Sequence, residues 1–195
     1  MKKVLVLVAA VVLVSAVQAQ KGSVKFGVKA GANISMWGGD DADESKSKIG
    51  FNAGGLVNIP VSDMFSVQPE ALFSIEGAKY DGSPDDASFN LSYINIPVLF
   101  QYNNPSGFYA ETGPQIGLLM SAKLKVGDES EDYKEFFKGS NFSWAFGAGF
   151  KTKSGFGFGA RYNFGLGNIA DDEDADLKQS NLSFGLFYLF GGDKK

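Results

Sequence analysis

From Val24 to Ser35 every second residue is apolar, and each residue between is polar or glycine. That two-residue period marks a β-strand with two unlike faces. It returns at 49–60, 65–80, 90–102, 108–122, 140–152, 156–166 and 180–190, while nothing after residue 20 sustains an apolar stripe of helical period. Eight strands and no helix are expected. The connections at 36–48, 81–89, 123–139 and 167–179 run 13, 9, 17 and 13 residues, whereas those at 61–64, 103–107 and 153–155 run 4, 5 and 3. Strict alternation of long and short is what antiparallel up-and-down strands produce, with long loops gathered at one end and tight turns at the other.

Alternation does not say which face points inward, since a lipocalin-type barrel has an apolar interior and a polar exterior. Volume decides. One face carries Phe26, Phe51, Phe65, Phe73, Phe100, Phe142, Trp144, Phe146, Phe150, Phe156, Phe158, Tyr162, Phe164, Phe184, Tyr188 and Phe190. The other is mainly small or polar, with Gly27, Gly31, Asn33, Gly50, Asn52, Gly54, Gly113, Gly117, Gly147, Gly149, Gly157, Gly159, Asn163 and Gly165. Eight strands enclose a bore just wide enough for side chains to fill it, so sixteen large rings do not fit inside. Pointed outward they would form a vast apolar patch that water penalises and hydrocarbon does not. The expected fold is all-β: an eight-stranded antiparallel up-and-down transmembrane β-barrel. Aromatics near strand ends (Trp37, Tyr80, Tyr102, Phe108, Tyr188 and Phe190) are expected to form interfacial girdles. Pro69, Pro97 and Pro114 fall inside strand patterns, where a missing ladder donor predicts bulges.

The N-terminus reads as an export address. Lys2 and Lys3 precede an apolar run from Val4 to Val14, and Val17-Gln18-Ala19 has the small-residue pattern of a cleavage site. Residues 1–19 are read as a signal peptide and 20–195 as the outer-membrane barrel domain. The chain has neither histidine nor cysteine, which excludes imidazole or thiolate metal ligation and every histidine- or cysteine-based catalytic site. No catalytic, cofactor-binding or metal-binding residue is assigned, and no enzyme activity or cofactor is expected. A formal charge of -4 argues against nucleic acid as a partner.

Charge is unevenly placed. Of the 22 acidic residues 17 lie in the four long loops with seven lysines, leaving those loops near -10. The same strand register puts Lys25, Lys29, Lys151 and Arg161 in the bore with Glu70, Glu76 and Glu111. Unpaired buried charge is costly, so these seven are expected to pair as a salt-bridge plug; the other reading is a gated ion or proton path. Asp171-Asp172-Glu173-Asp174-Ala175-Asp176 offers carboxylates to a hard cation but lacks the glycine and glutamate of an EF-hand loop. It and Asp40-Asp41-Ala42-Asp43-Glu44 are read as solvated acidic loops. Gly155-Phe156-Gly157-Phe158-Gly159 has no following Lys-Ser/Thr or helix and is not a phosphate loop.

Three proline segments carry a resemblance: Ser66-Val67-Gln68-Pro69-Glu70-Ala71-Leu72-Phe73-Ser74, Ile94-Asn95-Ile96-Pro97-Val98-Leu99-Phe100-Gln101-Tyr102 and Tyr109-Ala110-Glu111-Thr112-Gly113-Pro114-Gln115. In this order, with the opening Phe26-Gly27-Val28-Lys29-Ala30-Gly31-Ala32-Asn33, the chain resembles the PorT-like outer-membrane β-barrel family of Bacteroidota. The resemblance implies a small OmpA/OmpX-type barrel in the cell outer membrane and supplies no catalytic residues. The expected function is a plugged barrel with a structural or interaction role through its acidic loops, the alternative being a narrow channel for ions or small solutes. Expected partners are outer-membrane lipid and lipopolysaccharide, with an extracellular or envelope protein partner also possible on this reading.

Overall fold

A computed structural model describes residues 23–40, 42, 45–80, 87–127, 129–172 and 174–191. The expected signal peptide (1–19) lies outside the described residues, as do Asp41, Asp43, Glu44 and Glu173 of the acidic runs. The strands are β1 (Lys25–Gly38), β2 (Lys46–Pro60), β3 (Phe65–Glu76), β4 (Ala78–Tyr80), β5 (Ala87–Asn103), β6 (Phe108–Val126), β7 (Glu129–Asp132), β8 (Ser140–Lys151), β9 (Phe156–Gly165) and β10 (Lys178–Leu189), with a short 3-10 turn at Lys134–Phe136. All neighbours pair antiparallel, and β1 pairs with both β2 and β10, which closes the wall.

Eight of these strands make the barrel wall, in the order β1, β2, β3, β5, β6, β8, β9, β10. The other two are additions at the long-loop end. β4 continues β3 beyond a jog at Gly77, whose φ is +128° and whose missing Cβ makes room for the Phe89 carbonyl; only glycine accepts that position without strain. β6 runs on to Val126, turns at Gly127 (φ +56°) and pairs with β7. The expected loop 123–139 is therefore partly hairpin. At 19 residues, β6 is far longer than the ~10 residues that a tilted strand needs to span a bilayer core.

Side-chain partition follows the volume argument. All sixteen outward aromatics are exposed, from 36% for Trp144 to 62% for Phe26. The inward face is less uniformly small than expected, because Tyr93, Tyr109 and Phe187 turn into the bore and are buried. Glycines seat them. A Cβ at Gly157 would collide with the Phe187 ring, and one at Gly149 would come within 2.6 Å of the Tyr109 hydroxyl. Tyr109 and Phe187 then meet edge to face at 5.9 Å among Leu56 and Leu189.

Two expectations are corrected. The prolines produce gaps in pairing rather than bulges. Pairing skips from Leu56↔Glu70 to Ile59↔Val67, from Pro69↔Val98 to Leu72↔Asn95, and from Pro97↔Gln115 to Phe100↔Thr112, with register unchanged across each gap. Each proline thus loses its partner on one side only: Pro69 toward β2, Pro97 toward β3 and Pro114 toward β5. The ladder absorbs an absent N–H without inserting a residue. The register shift falls instead at Ser92/Tyr93, opposite Ser121 and Leu119. Second, Trp37 and Tyr80 are not girdle residues. Trp37 follows the inward phase of β1 and packs on Phe89, Phe137 and Tyr80, with ring centroids at 5.3, 5.9 and 6.2 Å. It belongs to a cap over the long-loop end of the bore.

The glycine–ring fit is directly testable. Gly157→Ala is expected to destabilise the barrel by about 1–3 kcal/mol through overpacking, and to cost much less in a Phe187→Leu background. Equilibrium urea unfolding of the refolded single and double variants measures that coupling.

Candidate functional site in the barrel lumen

The lumen is stratified along its axis. Its middle is a charged knot. Arg161 on β9 reaches Glu70 on β3 with both terminal nitrogens, Nη1 to Oε2 and Nη2 to Oε1 at 2.8 Å each, and its Nε donates to Oε1 of Glu111 on β6 at 2.7 Å. Lys29 of β1 adds its ammonium 3.6 Å from Glu70 Oε2. Two cations face two carboxylates, so the knot is neutral. The remaining lone pairs are also used: Gln68 Nε2 donates to Glu70 at 2.9 Å and Gln101 Nε2 to Glu111 at 2.8 Å, and Asn58 Nδ2 bonds both glutamine oxygens at 3.0 Å. Planar bidentate contact gives the arginine a fixed pose. Gly147 clears the space, since a Cβ there would stand 2.8 Å from Glu111 Oε1.

Four of the seven expected interior charges therefore meet. The other three do not join them. Glu76 lies nearer the loop end, where Asn95 Nδ2 donates to its Oε1 at 2.8 Å and Gln179 Nε2 donates to its Oε2. Lys25 and Lys151 line a cavity of about 290 Å³ at the short-turn mouth, with Asp63 and Lys153 on its rim.

Sequence reasoning missed Lys48 and the glutamines. Lys48 is buried and donates to the Glu76 main-chain carbonyl at 3.2 Å and to Asn90 Oδ1 at 2.6 Å. Its signal was its phase, two residues before inward Gly50, but it stood in a segment read as loop. Gln68, Gln101, Gln115 and Gln179 all sit on the inward period and were legible in the same way.

Above Glu76 the bore is closed by an apolar cap. Leu91, Tyr93, Leu119, Phe137, Ile169 and Leu177 form its buried core, with Trp37 and Phe89 packed against it. Two loops are strapped together to build it. Phe137 bridges Ala170, Lys138 N donates to Ile169 O at 2.8 Å, and Asp171 N donates to Phe136 O at 3.0 Å. Asn168 Oδ1 accepts from both Ala170 N and Leu177 N at 3.0 Å, holding the 167–177 loop in shape. Among the described residues no three acidic side chains gather into a metal-holding group.

Comparison with known proteins fits this geometry. Residues 18–171 match the profile of a family described as outer membrane protein beta-barrel domain. Neisserial surface protein A has 15% sequence identity and a TM-score of 0.54, with 86% of this chain and 99% of that one covered. Ail, the attachment invasion locus protein of Yersinia pestis, solved in complex with the heparin analogue sucrose octasulfate, has 19% identity and a TM-score of 0.50, with 87% of this chain and 100% of that one covered. Both likenesses concern the fold. No curated protein matches the chain.

The knot makes a quantitative demand. Arg161→Met leaves Lys29 alone to balance two buried carboxylates and is expected to destabilise the barrel by about 3–5 kcal/mol. Adding Glu111→Gln to that variant, which leaves Lys29 balanced by Glu70, is expected to restore much of the loss, as measured by denaturant unfolding in detergent micelles.

Proposed function

Because the chain belongs to the outer membrane protein beta-barrel domain family, we propose that it is a plugged outer-membrane barrel that acts through its loop face and catalyses nothing. The observation that carries this reading is Arg161, which crosses the bore to bind β3 and β6 at once. Buried charge pairs of this geometry resist opening, because separating them leaves each ion uncompensated in a medium of low dielectric. The aromatic cap adds a second, apolar barrier in series. On this reading residues 1–19 direct export and are removed, and the chain is one of the PorT-like barrels of Bacteroidota that its proline segments resemble.

The exposed face left for interaction is the acidic one. Glu129, Glu131, Asp132, Glu135, Asp171, Asp172 and Asp174 are all exposed at the long-loop end. Divalent cations bridging these carboxylates to lipopolysaccharide, or a basic surface on an extracellular or envelope protein, are the partners such a face suits. Lipopolysaccharide retained on the purified barrel is expected to fall when EDTA replaces calcium in the wash, as read by carbohydrate staining of gels.

A second reading, a narrow ion or solute path, draws on Asn52, Asn141, Asn163 and Asn181, which are buried on the inward face with side-chain oxygens that have no hydrogen-bond partner among the described residues. Planar-bilayer recording separates the two. The refolded wild type is expected to give no steady openings, whereas Arg161→Ala combined with Phe137→Ala is expected to conduct. Sustained wild-type conductance would reject the plugged reading.

A further inference from the structure

Between the knot and the cap lies a polar layer of side chains that neither of them explains. Its acidic member is Glu76, 3% exposed, and amide groups engage both of its side-chain oxygens. The Trp37 indole N–H can only donate, and it donates to Gln179 Oε1 at 3.0 Å. The amide nitrogen of Gln179 must then face the other way, and it donates to Glu76 Oε2. Asn95 Nδ2 donates to Oε1 at 2.8 Å. Both carboxylate oxygens thus accept from amide N–H groups.

Among the described residues that carboxylate has no direct counter-ion: no cation comes within ion-pair distance of Glu76, in contrast to Glu70 and Glu111. Lys48 comes to its main-chain carbonyl rather than its carboxylate. A buried carboxylate without a partner is costly. The same stretch of the bore holds buried oxygens with no hydrogen-bond partner among the described residues: Oδ1 of Asn33, Asn52, Asn141, Asn163 and Asn181, and the Tyr93 hydroxyl. Glycines bring them together. A Cβ at Gly50 would lie 2.6 Å from Asn33 Oδ1 and would strike the Ile75 carbonyl, next to Glu76. Over Gly117, Asn95 Oδ1, the Tyr93 ring and Asn141 Cβ converge at 2.7, 3.3 and 3.7 Å from the equivalent point. Asn163 and Asn181 are register partners on β9 and β10.

We propose that this layer holds a cation site, in which Glu76 anchors one sodium- or potassium-like ion that amide and phenol oxygens and water complete. An all-oxygen shell suits a hard cation, and a single carboxylate among neutral oxygens matches one positive charge rather than two. The site is independent of whether the barrel is plugged or conducts. It is enclosed by the Trp37–Gln179 bond on the loop side and by the Arg161 knot on the turn side.

Two measurements test it. Crystals of the full chain soaked in thallium(I) or rubidium are expected to show an anomalous peak in coordination range of the Glu76 carboxylate; a map with no peak there overturns the proposal. In solution the Tm of the refolded wild type is expected to rise by a few degrees, saturably, when sodium or potassium chloride replaces choline chloride at equal ionic strength. The Glu76→Gln variant is expected to lose both the rise and the peak. An equal wild-type Tm in choline, or a Glu76→Gln barrel that keeps the cation dependence, sinks the idea. So does a wild-type barrel stabilised by acid in place of cations, which would mean a protonated Glu76. Should Glu76→Gln fail to refold, the wild-type map and the choline comparison decide alone.

Discussion

The constraint on which the rest of the molecule depends is closure of an eight-stranded sheet. Hydrocarbon offers no hydrogen bonds, so a sheet with an open edge cannot stand in it. Pairing β1 with β10 removes the edge, and eight strands then fix a bore that side chains can fill. Everything else is distribution of bulk and charge under that limit. Most phenylalanines go outward because the bore has room for few rings. Glycines go inward, and they do so for two distinct reasons: Gly50 and Gly117 give polar groups room to converge, while Gly149 and Gly157 receive the rings of Tyr109 and Phe187.

The order of layers along the axis follows from the same limit. A bore of this width holds few groups at each level, so each level has its own chemistry. Lysines and an aspartate line the turn mouth; four charges tie into a neutral knot at the middle; amides and Glu76 come next, then aromatic and aliphatic side chains at the loop end. The knot gives the barrel a unique interior arrangement, because an arginine bound bidentately to one glutamate and through Nε to another has a single satisfactory pose. The cap sets a layer of apolar side chains above Glu76, and such a layer of low dielectric strengthens the electrostatics beneath it.

Much of this was legible in the sequence because it depends on parity. Every outward aromatic, every inward glycine and the inward phase of Lys29, Glu70, Glu76, Glu111 and Arg161 follow from a period of two. What parity does not encode is distance along the axis and direction across the bore. It places Lys25 and Lys151 inside without revealing that they sit at the mouth, a level apart from the knot. It also says nothing of size, so Tyr93, Tyr109 and Phe187 went unremarked on a face dominated by glycine. The cap was invisible for another reason. Its members come from segments with no period at all, and their burial depends on a cross-strap between loops that only the closed barrel brings together. The prolines misled because a lost donor can be accommodated by a gap as well as by an extra residue.

β10 takes part in three structures at once. It forms the seam with β1, it supplies Gln179 to both Trp37 and Glu76, and the residue before it, Leu177, belongs to the cap. A chain still lacking its last hairpin consequently has an open seam, an untethered indole and an incomplete lid together. Lateral closure of the wall and completion of the lid thus depend on one and the same strand.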